Sequence, residues 1–217
     1  MAGQVLVDDV PVDKAGTRVR DDAVVRLRGV ASRYVSRGGD KLEGALADLG
    51  VEAAGRICLD VGASTGGFTD CLLQHGAVRV HAVDVGYGQL DAKLRADPRV
   101  VVRERTNARN LEASMIPDAI DLVVADVAFI SLRLVVPALA AVASRAAWLL
   151  LVKPQFEVGR EQVGKGGVVR DDALRAAAVE SVRGSAEALG WRELGRADSR
   201  LAGPKGNREV FLHLRKP

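Results

Sequence analysis

"CLDVGASTGGFTDCLL", residues 58–73, runs from an apolar stretch ending in aspartate into a glycine-rich turn and then an amphipathic segment. The order is strand, tight turn, helix, the unit in which doubly wound α/β proteins hold a nucleotide or nucleoside. The turn narrows the choice of ligand. A Walker loop needs Lys followed by Ser or Thr after its last glycine, whereas Gly67 is followed by Phe68 and Thr69. The dinucleotide spacing G-x-G-x-x-G also fails, because the glycines are Gly62, Gly66 and Gly67. Asp60, just before the first of them, repels a pyrophosphate at the helix N-terminus and attracts a ligand bearing an ammonium or sulfonium.

Outward from this turn, apolar runs at 56–62, 79–86, 100–105, 121–127 and 147–154 read as strands. Helices are expected near 66–75, 89–96, 131–144 and 171–190, with an earlier one at 40–50 that Gly50 caps. Such alternation predicts a mostly parallel sheet covered on both faces. Residues 191–200 and 208–216 succeed one another without an intervening helix and read as an antiparallel pair. Residues 4–29 read as short strands, too short to form a core alone. Asp84 ends the second strand of the main series and Asp126 the fourth. An acid at the first of these places accepts hydrogen bonds from ribose hydroxyls in nucleoside-binding folds. Three carboxylates at strand ends beside a glycine turn describe an S-adenosylmethionine pocket better than an NAD pocket.

A chain of 217 residues with 48% hydrophobic content buries one good-sized core with a small appendage. Only 4% is aromatic, so Ala, Val and Leu must fill it. Cys58 and Cys71 fall in a strand and a helix without metal-type spacing, which predicts reduced, buried thiols in a cytoplasmic protein. "MAGQVLVDD" lacks a basic n-region, and Pro137, Ser144 and Arg145 break the most apolar stretch, 134–152, so neither reads as a membrane segment. The net charge of +3 is modest, but its placement is uneven. Residues 26–41 hold Arg26, Arg28, Arg33, Arg37 and Lys41 against Asp40 alone. The tail holds Arg196, Arg200, Lys205, Arg208, Arg215 and Lys216 against Asp198 and Glu209. Two basic flanks suit an anionic polymer. "QVGKGGVVRD", 162–171, reads either as a loop closing over substrate or as a flexible connection.

"DVGASTGGF" resembles the methyl-donor loop of the FtsJ-like RNA methyltransferases. Together with "VSRGGDKLEGAL", "ERTNAR", "LVVADVAFISL", "LVKPQFEVG" and "GNREVF", residues 33–217 resemble the TlyA, or haemolysin A, family. The resemblance implies a Rossmann-like class I methyltransferase fold, an α/β doubly wound sheet ending in the antiparallel pair. It implies methyl transfer from S-adenosyl-L-methionine to a ribose 2′-hydroxyl of ribosomal RNA, on cytidine, in the cytoplasm, with no metal. Asp60, Gly62, Ala63, Ser64, Thr65, Gly66, Gly67, Phe68, Asp84, Val85, Gly86 and Asp126 then line the donor pocket, with Asn107 near the adenine. The matching catalytic tetrad is Lys41, Asp126, Lys153 and Glu209. Arg33, Tyr34, Arg37, Arg200 and Lys205 are candidates for RNA contact. The family begins with an S4-type RNA-binding domain, of which residues 1–30 match only the last strands; 31–38 form a linker and 39–217 the catalytic domain. Thr65 stands where a proline is common, Tyr34 where the linker carries Trp, and Ser32 where it carries Arg.

Lys153 comes directly after an apolar strand. Desolvation and the like charge of Lys41 move a lysine there toward general-base duty, whereas Asp126 favours its charged form. The sequence leaves both roles open, proton acceptor or orienting cation. A small-molecule methyltransferase would need neither basic flank. A membrane-lysing protein would need an exposed amphipathic segment, and none lies outside the predicted core elements. A non-catalytic ribosome-binding factor would not need the intact tetrad.

Overall fold

The computed structural model describes residues 5–7, 10–12, 14, 16–20, 23, 25–27, 33–203 and 205–217. Arg28, Ser32 and parts of the predicted 4–29 strands lie outside the described residues. Contacts divide the chain into two units, 1–33 and 34–217. In the first, β1 (Val5–Val7) lies between β2 (Val10–Val12) and β3 (Val25–Leu27) and pairs antiparallel with both.

The second unit opens with α1 (Arg37–Leu49), β4 (Ile57–Val61), α2 (Gly67–Gln74), β5 (Arg79–Val83), α3 (Ala92–Arg95) and β6 (Val100–Arg103). It continues with β7 (Leu122–Ala125), α4 (Val136–Val142), β8 (Ala147–Val152), α5 (Pro154–Glu157), α6 (Asp172–Glu187), β9 (Arg192–Asp198) and β10 (Val210–Arg215). The sheet order is β6-β5-β4-β7-β8-β10-β9, parallel through β8, with β10 antiparallel to both its neighbours. The strand order reverses between β4 and β7, the switch point where open α/β sheets bind ligands.

Successive residues of each inner strand serve opposite cores. Val123, Ala125, Trp148 and Leu150 join the layer under α4 and α6, whereas Leu122, Val124, Leu149 and Leu151 join the layer under α1 and α2. This two-sided burial explains the uninterrupted apolar runs. Cys58 and Cys71 are free thiols buried in the second layer, as expected from the sequence.

The predicted antiparallel pair is present, but its last strand is interior: Phe211, Leu212 and Leu214 are buried, and β9, alternating in exposure, takes the edge. Charged side chains on β9 suit an edge that must not pair further. Two predicted helices are shorter than their patterns. Asp91 caps α3 through the Lys93 N–H at 2.9 Å, so the helix starts at Ala92. Residues 131–144 split into a 3-10 turn at Leu132–Leu134 and then α4, because Pro137 is tolerated only in a first turn. No helix among the described residues is long and apolar enough to cross a membrane.

Trp148 and Trp191 stack at 3.9 Å in the layer between the sheet and α6, both fully buried. Trp191→Ala should destabilise the fold by about 3–5 kcal/mol through the cavity left behind. Urea unfolding followed by far-ultraviolet circular dichroism measures this, and a loss below about 1 kcal/mol would contradict the packing described.

Candidate active site

Beyond β4 the chain turns sharply. The N–H groups of Gly62 and Ala63 both donate to the Val83 carbonyl, at 2.8 and 3.1 Å. Gly62 has φ +86°, and a Cβ there would stand 2.4 Å from the Asp126 carbonyl oxygen. Gly67 opens α2, where a Cβ would meet Ser36 Oγ at 2.3 Å and the Gly39 nitrogen at 2.9 Å. Bare backbone thus packs the turn against the end of β7 on one side and the start of α1 on the other. Asp84, after β5, holds the turn in shape: its Oδ2 accepts the Ser64 N–H at 2.8 Å and its Oδ1 the Gly86 N–H at 2.6 Å.

Two clefts meet at this turn and share Gly62, Ser64 and Asp126. The smaller, about 450 Å³, is lined by Arg37, Gly38, Lys41, the glycine turn and Phe68. The larger, about 1000 Å³, extends past Asp84, Val85 and Asn107 on one side and Phe129, Gln155 and Arg160 on the other.

The four tetrad candidates form two charge pairs. Lys41 on α1 donates to Glu209 Oε2 at 2.5 Å, both side chains buried. Lys153, immediately after β8, is ion-paired with Asp126 Oδ1. Asp126 lies on both clefts and Lys41 on the smaller, so the pairs converge from opposite ends of the sequence.

Asp60 lies on neither cleft wall. It is fully buried beneath the turn, where its Oδ2 accepts the Thr69 hydroxyl at 2.6 Å and its Oδ1 takes no hydrogen bond. Desolvation raises its pKa to about 7, against the opposing effect of the Thr69 bond.

Of the residues assigned to RNA, Arg37 lines the smaller cleft, and Lys205 stands beside Gly167. Arg33 is exposed at the end of the first unit. Tyr34 is a correction: its ring is 4% exposed and packs over Gly39, whose missing side chain makes the room, so it has no face for a base. Arg200 is held by Asp48 through two bonds, at 2.6 and 3.1 Å, and its stem crosses Gly44. The 162–171 stretch contains a small hairpin bridged at Gly164 and Val168. Asn207 pins it by accepting the Val169 N–H at 2.9 Å and donating to the Gly167 carbonyl at 2.8 Å.

Several supporting residues carry no local sequence signal. Glu157, buried on α5, accepts the Ser131 hydroxyl at 2.5 Å and the Leu132 N–H at 2.8 Å. It thereby ties the segment after Asp126 to the segment after Lys153. Burial pushes its carboxyl above the usual range despite these bonds. Asp70 accepts the Val35 N–H at 2.9 Å and fixes the approach to α1.

The model of the FtsJ-like methyltransferase family matches residues 34–216. The chain belongs to that family. It is 55% identical over 216 residues to the 16S/23S rRNA (cytidine-2′-O)-methyltransferase TlyA of Mycobacterium tuberculosis, covering 99% of this chain and 81% of the relative. Hemolysin A of Brachyspira hyodysenteriae is 42% identical, with 99% and 90% covered. A solved structure from Streptococcus thermophilus carrying a hemolysin name superposes with a TM-score of 0.87 at 43% identity, covering 99% of this chain and 79% of that one.

Asp60 makes stability depend on pH. The folded chain keeps its proton up to about pH 7, whereas an unfolded aspartate loses it near ~4. The stabilisation from that proton is complete below the unfolded value and is lost as pH rises through the folded one. Asp60→Asn cannot ionise, so its stability relative to the parent should rise by a few kcal/mol between about pH 4 and 7 and level off above. Urea unfolding at each pH checks this; a pH-independent difference would contradict it.

Proposed function

We propose that this chain transfers a methyl group from S-adenosylmethionine to a ribose 2′-hydroxyl of ribosomal RNA, with cytidine as the target nucleoside. One observation carries the reading: Lys41–Glu209 and Lys153–Asp126 meet at a cleft built on the glycine turn. The residues present fit an adenosyl donor. Asp84 offers carboxylate oxygens beside the turn, Asn107 stands further along the same wall, and the absent Cβ of Gly62 leaves bare backbone between turn and Asp126. When bound, the donor supplies an electrophilic methyl group on a sulfonium.

The chain's own part is to hold the hydroxyl and dispose of its proton. Lys153, anchored by Asp126, orients the 2′-oxygen; once its ammonium has released a proton to solvent, the free amine accepts the hydroxyl proton as the methyl is transferred. Lys41, anchored by buried Glu209, supports the opposite wall of the smaller cleft. Aromatic and basic groups at the rim suit a nucleic acid. Phe129 is 92% exposed with φ +63° and lies 5.4 Å from the ring of Phe156. Such a face stacks an unpaired base. Arg37, Arg109 and Arg160 line the clefts and suit phosphates. The relative from M. tuberculosis is named for this reaction. We read residues 1–30 as part of an S4-type RNA-binding domain, and the ribosome as placing the enzyme in the cytoplasm.

The test is methyl transfer from labelled donor to separated ribosomal subunits, with mapping of the modified nucleotide. Lys153→Ala should lower turnover by about 10²–10⁴-fold while calorimetry shows donor affinity unchanged. Lys153→Arg should not restore activity, because a guanidinium neither accepts the proton nor matches the shape. Near-normal turnover in the arginine variant would instead make Lys153 a purely electrostatic group.

Binding to subunits should weaken steeply as salt rises. Arg37→Ala should reduce that slope without moving the mapped nucleotide. Salt-independent binding would count against a phosphate-facing cleft.

A further inference from the structure

The larger cleft has two halves. Asp84, Val85 and Asn107 lie after β5 and β6, on one side of β4, whereas Gln155, Phe156 and Arg160 lie after β8, beyond β7. Asp126, at the end of β7, lies between them. A donor held by Asp84 leaves the β8 half for the acceptor nucleoside, and the segment lining that half follows Lys153 directly in the chain. The base of the target nucleotide must therefore lie close to the residues immediately C-terminal to Lys153.

Two residues on stands Gln155, in the only turn of α5. The half-buried residue lines the larger cleft, but its Oε1 is turned inward, has no exposed surface and takes no hydrogen bond, so a base meets it after rotation of the side-chain amide. A buried amide acceptor without a partner is costly and uncommon, and it marks a place where a donor is expected. The neighbouring ring, Phe156, lies 5.4 Å from that of Phe129, and both rings line the same cleft as Gln155. Its position is held, because Glu157 on the same turn is bonded to Ser131 and Leu132.

We propose that Gln155 selects the target base, its Oε1 accepting a hydrogen bond from the exocyclic amino group of cytosine. The inference rests on the ribose methyltransferase reading above. Cytosine carries an amino donor where uracil carries a carbonyl, so uracil would set two acceptors against each other. Turning the amide over would bury two N–H donors where uracil offers a single oxygen. Adenine also carries an amino group, so Gln155 alone does not exclude purines.

The experiment uses ribosomal subunits whose mapped target is cytidine or, after mutation of the rRNA, uridine. The parent enzyme should prefer cytidine by roughly 10- to 100-fold in kcat/KM. Gln155→Leu should lower cytidine methylation roughly 3- to 10-fold and remove most of the preference. Gln155→Glu, which keeps an acceptor, should retain it. Affinity for S-adenosylhomocysteine, measured by calorimetry, should be unchanged in both variants, which also reports their folding. If the parent methylates no rRNA, the proposed function fails and this inference with it. If the parent methylates rRNA but Gln155→Leu keeps the full cytidine preference, only the role of Gln155 is overturned. Loss of S-adenosylhomocysteine binding in Gln155→Leu and Gln155→Glu alike, with circular dichroism and urea unfolding as in the parent, would assign the residue to the donor half and overturn it too.

Discussion

The site depends on two strand ends touching through bare backbone. At Gly62 a Cβ would stand 2.4 Å from the carbonyl oxygen of Asp126, so any other residue would push β4 and β7 apart at their carboxyl ends. The Asp126 N–H in turn donates to the Val61 carbonyl at 2.9 Å, which extends the ladder to the rim. Gly67 repeats the requirement against Gly38 and Gly39, bringing in the helix that carries Lys41. The glycine turn, Asp126 and Lys41 are therefore positioned by atoms that are missing.

Around that contact the protein concentrates terms unfavourable to stability. Lys41 and Glu209 are both buried, and breaking a buried pair leaves an uncompensated charge. Asp60 lies beneath the turn with one oxygen unpartnered. Ser64 and Phe129 adopt left-handed backbone conformations that cost non-glycine residues energy. Elsewhere the sheet is paired, two-sided and apolar. Strain and buried charge gathered at one end of an otherwise regular sheet mark a surface shaped for chemistry.

Some of this is legible in the chain and some is not. The acids at the ends of the first, second and fourth apolar runs, Asp60, Asp84 and Asp126, come from strand periodicity alone, as do the glycines of the turn. Lys41, Lys153 and Glu209 carry no such pattern and are assigned by resemblance. Tyr34 and Arg200 look like surface groups in a basic stretch, yet one fills the space above Gly39 and the other grips Asp48, 152 residues earlier. The backbone N–H groups that Glu157, Asn207 and Asp70 accept lie 25, 38 and 35 residues away, so these bonds are invisible in the sequence.

By itself the sequence determined that the sheet is doubly wound, where the glycine turn lies, and where the main strands and helices fall, α5 and the split of 131–144 excepted. These are consequences of local periodicity, turn chemistry and backbone freedom at particular glycines, all read within a few residues. Only the tertiary structure decided that β10 enters the sheet interior, that Asp60 is sealed under the turn, and that Gln155, on the cleft wall, keeps a buried acceptor unanswered. Burial and hydrogen-bond partnership belong to groups distant in the chain, and they exist only once the sheet has closed around them.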